Sequence, residues 1–186
     1  MATNHIQARG LTLIELMITL AISSILITGV APSFSASVKN SRMVTQLNDL
    51  HTAFSLARSE AINRNTSVTV CRSATSTSCA GVWQDGWIVF VDEDSDGSVD
   101  NGDEIINVHG ALPNDSTLVS EQAQVIYASS GLAVPGSNST FTFCDARGAT
   151  KAKGIIIGTT GRPRLAVDTD SNGILQDGNN DDLVCS

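Results

Sequence analysis

Residues Leu11–Ala31, LTLIELMITLAISSILITGVA, form an apolar run of 21 residues broken by a single charge, Glu15. As a helix rising 1.5 Å per residue, the run would extend roughly 31 Å, about the thickness of a bilayer's hydrocarbon core. His5 and Arg9 precede it. Basic residues on that side keep an N-terminus cytoplasmic and send the rest of the chain across. An ordinary secretory signal would place its small-residue cleavage site after the run, not before it. A plain signal anchor has no use for an acid five residues in. A charge at that depth costs about 3 kcal/mol, so Glu15 asks for a purpose.

The helical pattern continues past the run. Gly29 and Pro32 are expected to weaken it locally, since Pro32 cannot donate to the carbonyl of Thr28. Met43, Leu47, Leu50, Phe54, Ala57 and Ala61 then recur every three or four residues. That spacing predicts one apolar helical face, with Lys39, Arg42, Asp49, Arg58 and Glu60 mostly elsewhere. The helix is expected to end near residues 63–65 and to pack on a sheet made by the remaining chain.

From residue 66 the character changes. Short β-prone runs are predicted at residues 67–72, 86–91, 104–109, 125–128, 140–144, 154–158 and 164–167. Asp96-Gly97, Asn101-Gly102, Ser130-Gly131, Pro135-Gly136 and Arg147-Gly148 punctuate them as turns. A long helix followed by several antiparallel strands makes an α+β domain. Aromatic residues are 4% of the chain, so the core is expected to rest on aliphatic side chains.

The four cysteines, Cys71, Cys79, Cys144 and Cys185, form no CxxC pair and have no nearby histidine, so zinc and thioredoxin-like chemistry have no spacing to stand on. An even number in an exported chain reads as two disulfides, with three connectivities available. The eight-residue separation of Cys71 and Cys79 suggests a local staple, which leaves Cys144 with Cys185.

Residues Arg9-Gly10-Leu11-Thr12-Leu13-Ile14-Glu15 resemble the prepilin signature, with Leu11 where Phe is usual. The resemblance implies cleavage between Gly10 and Leu11 by prepilin peptidase and N-methylation of Leu11. It implies retention of the apolar run as a membrane helix until an inner-membrane assembly platform builds the subunit into a filament with other pilin or pseudopilin subunits. It also gives Glu15 its purpose. The carboxylate would pair with the free amino group of a neighbouring subunit's first residue and set axial register, an attraction strengthened by the low dielectric. Residues 1–10 would be the leader, 11–31 the transmembrane half of the helix, 32–65 its amphipathic half and 66–186 the β-rich domain.

That domain resembles the GspH/FimT group of pilin-like proteins. The matching stretches are Trp83-Gln84-Asp85-Gly86-Trp87-Ile88-Val89-Phe90-Val91-Asp92, then Asp96-Gly97 and Asp103-Glu104-Ile105-Ile106, then Phe141-Thr142-Phe143-Cys144-Asp145-Ala146-Arg147-Gly148 and Thr160-Gly161-Arg162-Pro163-Arg164. The group's members are minor pilins of type IV pili or type II secretion pseudopilins. Membership implies a single-pass inner-membrane protein with a periplasmic domain, placed near the filament tip.

Two segments invite ligand readings. Asp92, Asp94 and Asp96 with Gly97, then Asp100 and Asp103, fall at positions 1, 3, 5, 6, 9 and 12 of a calcium loop, with Asp103 where the usual glutamate would be. Asp168-Thr169-Asp170-Ser171-Asn172-Gly173 repeats the first half, but Asn179 stands at position 12. Strand-like flanks exclude an EF-hand, and solvated acidic turns are the plainer reading. Calcium is therefore a candidate ligand here, and no other cofactor is expected.

The formal net charge is −8, which argues against bulk-charge nucleic-acid binding. Yet residues 145–164 hold Arg147, Lys151, Lys153, Arg162 and Arg164 against one acid. In the FimT branch, which serves DNA uptake, the Gly-Arg-x-Arg motif is implicated in DNA binding. The resemblance carries that role to Arg162 and Arg164, supported by Lys151 and Lys153. The same motif could equally well just end a strand. Catalysis has no support, since His5, His51 and His109 join no Ser/His/Asp set and neither a phosphate loop nor HExxH is present. Asn65, Asn114 and Asn138 begin glycosylation-type triplets that chance accounts for.

Overall fold

The computed structural model describes residues 10–185, except for the side chains of residues 26–33. The chain divides into two compact units, with the boundary between Ser41 and Arg42. One long helix, α1 (Leu13–Arg64), contributes to both. The expectation for His5 and Arg9 lies outside the described residues. Those for Gly29 and Pro32 fall where side chains are not described.

In the first unit Thr12 caps the helix, with the Glu15 amide donating to Thr12 Oγ1 at 3.3 Å and the Leu16 amide to its carbonyl. Leu11, Leu13, Ile14, Met17 and Leu20 are each more than 60% exposed. Among the described residues no helix is long and apolar enough to cross a membrane, and the expected span at 11–31 runs on into side chains that are not described.

In the second unit all six residues of the predicted stripe, from Met43 to Ala61, are buried in one core. The helix stops at Arg64, followed by Asn65 at φ 55°, the left-handed conformation that closes many helices. Eight strands follow: β1 (Ser67–Arg72), β2 (Trp87–Asp92), β3 (Glu104–His109), β4 (Ser116–Val119), β5 (Gln124–Tyr127), β6 (Ser139–Asp145), β7 (Lys153–Ile157) and β8 (Pro163–Leu165). They form two antiparallel sheets, ordered β3-β2-β1-β5 and β4-β6-β7-β8.

Strand alternation sends Val68, Val70, Trp87 and Val89 of the first sheet, and Phe141, Phe143, Ile155 and Ile157 of the second, into the core with α1. The core is more aromatic than the composition suggests. Trp83, Trp87, Tyr127, Phe54, Phe90, Phe141 and Phe143 are all buried, which leaves Phe34 as the exposed one of the chain's eight aromatics. Phe141 sits at the centre, with ring centroids 4.8 Å from Phe54 and 4.9 Å from Trp83. Few aromatics thus supply the largest buried surfaces.

Each sheet's outer face is covered as well. On the first, Cys71, Ile88 and Phe90, with Ile105 of β3 beside Phe90, lie under Cys79 and Val99. On the second, Cys144, Ile156 and Ala166 lie under Ile174, Leu175 and Leu183 of the C-terminal segment. A disulfide anchors each cover, Cys71–Cys79 on the first sheet and Cys144–Cys185 on the second.

Candidate functional site

Each cover includes part of an Asp-rich loop, through Val99 on the first sheet and Ile174 and Leu175 on the second, and the two loops share one backbone design. In the first, Asp92 receives the amides of Asp96 (3.1 Å) and Gly97 (3.1 Å), while Asp94 receives that of Asp96 and Asp96 that of Ser98. In the second, Asp168 receives the amides of Ser171 and Gly173, Asp170 that of Asn172, and Asn172 that of Ile174. The fourth residue of each motif has a positive φ (Ser95 63°, Ser171 62°), as does the sixth (Gly97 80°, Gly173 89°). Gly97 also lies where a Cβ would meet the Gln124 side chain at 2.2 Å. These hydrogen bonds explain the repeated motif by turn chemistry alone.

The loops differ in what their carboxylates face. Asp92 ends β2 and is fully buried, and Thr69 Oγ1 of β1 donates to it at 2.7 Å. Burial pushes the Asp92 carboxyl above the ordinary carboxylate range, and the like charges of Asp103 and Asp96 add to this, against the Thr69 and Gly97 hydrogen bonds. Desolvation and then the carboxylates of Asp94 and Asp103 raise Asp100 likewise. Oxygens of Asp92, Asp94 and Asp96 come within 4.8 Å of one another, which makes these three the residues that could hold a cation. The structure does not bring Asp100 or Asp103 into that group. Asp103 instead accepts the amides of Glu93 and Asp100.

In the second loop buried Gln176 is the organiser. It accepts from Thr169 and donates to Asp170, to the Ile174 carbonyl and to Asp182. Its hydrogen bond, with that of Asn172, holds the Asp182 carboxyl below the ordinary range. Neither Thr69 nor Gln176 stands out in the sequence, because each is a single polar residue whose role depends on a partner fixed by the fold.

The basic segment is only partly assembled. Arg147 is drawn into a bidentate pair with Asp145 at the β6–β7 turn, the shorter bond 2.7 Å, and so does not extend the patch. Lys151, Arg162 and Arg164 are exposed and Lys153 half-buried, and none of the four makes an ion pair among the described residues. Arg164 lies opposite Ile156 on β8, so it stands on the outer face of the second sheet. Gly161, at φ 70°, packs so tightly that a Cβ there would meet the Gly131 carbonyl oxygen at 2.4 Å. The glycine of the Gly-Arg-Pro-Arg sequence is thus required by packing.

His109 is structural. Its ring stacks on Trp87 at 3.8 Å, and its Nε2 lies 3.5 Å from Asp49 Oδ2 on α1.

A family model described as type II transport protein GspH matches residues 46–161, and one described as the prokaryotic N-terminal methylation motif matches residues 7–31. Among solved structures, the type IV minor pilin FimU of Pseudomonas aeruginosa is similar at 20% identity, over 69% of this chain and 91% of that one, with a TM-score of 0.55. A second crystal form of FimU gives 19%, 64% and 89%, with a TM-score of 0.51. The minor pseudopilin EpsH of the Vibrio cholerae type 2 secretion system aligns at 13% identity over 69% of this chain and 99% of that one, with a TM-score of 0.48. No curated protein matches the sequence.

Proposed function

The chain belongs to the GspH family and is a minor pilin or pseudopilin of a type IV pilus or type II secretion filament, and from that premise we propose that it primes or caps such a filament near the tip. Proteins of these families are structural filament subunits and not enzymes. The observation that carries the reading is the N-terminal segment. A methylation-motif match at 7–31 coincides with a helix capped by Thr12, bearing Glu15 in its first turn and large exposed apolar side chains around it.

On this reading prepilin peptidase cuts between Gly10 and Leu11, and Leu11 is methylated. The segment 11–31 rests in the lipid of the inner membrane until the assembly platform extracts it, with the β domain in the periplasm. The new amino group of one subunit meets Glu15 of the next. Two opposite charges in an apolar surrounding attract far more strongly than in water, which suits them to setting register. Glu15→Val should leave membrane insertion intact, since it removes a charge from the apolar run. It should deplete the subunit from sheared filaments, and undiminished incorporation would contradict the register role.

A second reading is favoured by the four unpaired cations Lys151, Lys153, Arg162 and Arg164. As cations left without an acidic partner among the described residues of an acidic protein, they suit weak binding to the phosphates of DNA, as a minor pilin serving DNA uptake would need, although Arg164 and Lys153 stand on opposite faces of the second sheet.

A further inference from the structure

We propose that the cleft between the C-terminal segment and the outer face of the second sheet binds an extended peptide segment carrying lysine or arginine, supplied by another protein. The cleft has a volume of about 520 Å³, within the roughly 300–1,000 Å³ of ligand sites. Its floor is the strip of β6 and β7 that bears Thr140, Thr142 and Ile156, a pleated surface that suits a chain lying along it. One wall carries Glu121 and the other Asp177, Asp181 and Asp182, against a single lining cation, Arg164. Four carboxylates to one guanidinium in a partly enclosed space focus a negative potential on whatever enters.

The site is held in shape. The Cys144–Cys185 bridge fixes the end of the wall, the Gly178 amide donates to Thr140 Oγ1 on the floor, and backbone bonds join Asp177 to Asp181 and Leu183 to Leu175. Asp177 is committed to the amides of Asn179 and Asp181, and Asp182 to Gln176 and Asn172. Glu121 and Asp181 make no side-chain hydrogen bond or ion pair among the described residues, so they are the acceptors left for a ligand.

The arrangement selects a peptide over a metal ion. Convergent acidic oxygens occur among the described residues at Asp92, Asp94 and Asp96, and the acids of the cleft are not part of any such group. Acceptors spread along two walls match ammonium or guanidinium groups spaced along an extended chain, while Arg164 can receive a peptide carbonyl or an acidic neighbour. The inference does not depend on whether the filament serves secretion or a pilus.

The test uses the full chain in detergent micelles and a fluorescent Ala-Lys-Ala-Lys peptide bearing a photo-crosslinker, with Ala-Glu-Ala-Glu as the control. The lysine peptide should bind and the glutamate peptide should not. Crosslinks should map to 138–142 and 177–184. Glu121→Gln with Asp181→Asn should weaken binding about tenfold, as for two partly exposed ion pairs, without changing the melting temperature. Both are exposed, so folding is not at stake, and circular dichroism provides the check. Equal binding of the two peptides, unchanged binding in the double variant, or crosslinks confined to 92–104 would each overturn the proposal.

Discussion

Thr69 donates its hydroxyl to the Asp92 carboxylate at 2.7 Å, with both residues fully shielded from water. This bond ties β1 to the start of the first Asp-rich loop and stands in for solvent at a buried charge.

Thr69→Val keeps the shape and removes the donor. It should destabilise the protein by about 1–3 kcal/mol in thermal unfolding, the penalty for a buried charged acceptor left short of a partner. Thr69→Ser should recover most of that loss. The pH dependence has a defined sign. The Asp92 carboxyl is raised in the folded state, so the folded protein holds this proton more tightly than the unfolded chain. Its contribution to stability is therefore fully present below the unfolded value and is lost as pH rises through the folded one. Asp92→Asn should remove that part of the pH profile.

The convergence of Asp92, Asp94 and Asp96 predicts that millimolar calcium raises the melting temperature, since a ligand of the folded state stabilises by RT ln(1 + [L]/Kd). Asp94→Ala should abolish the shift, and acidification should shrink it by protonating the carboxylates. No shift at saturating calcium would identify the loop as a hydrogen-bonded acidic turn and nothing more.

The Cys144–Cys185 bridge closes the C-terminal cover over the second sheet. Replacing both residues with serine should cost on the order of 2–4 kcal/mol. Residues 174–185 should become open to protease while 42–170 stay resistant. Non-reduced peptide mapping of the unaltered protein should find Cys71 with Cys79 and Cys144 with Cys185. Any link from Cys71 to Cys144 or Cys185 would contradict the structure.

For the basic patch, retention of DNA should be weak, independent of sequence and steeply salt-dependent, with the log–log slope falling by about 1 for each phosphate that a variant no longer neutralises. Arg162→Gln with Arg164→Gln should abolish retention and leave both disulfides formed. A parent protein that fails to bind at low salt removes the DNA reading. A double variant that binds equally well moves the patch elsewhere.

Much of the architecture was legible because it is written in periodicity. The helical stripe Met43 to Ala61 is buried in full, and β1 and β3 have the boundaries their sequences suggest. β4 was not legible. It is four residues long, buries only Leu118 and begins in a polar stretch, so it carries too little alternation to register. The division into two sheets was hidden for a related reason, since strand patterns do not say which strands pair. At the candidate sites, spacing showed the Asp-rich loops. It could not show that Asp103 caps amides, that Asp145 occupies Arg147, or that Arg164 borders an acidic cleft, because each depends on a partner fixed by the tertiary fold.

The proposed role rests on processing at the N-terminus, and intact-mass analysis of the protein extracted from membranes tests it directly. The mature chain should begin at Leu11, carry one added methyl group and lack four hydrogens for two disulfides. A chain that begins beyond Ala31, or one that keeps residues 1–10 in cells with an active prepilin peptidase, would contradict it.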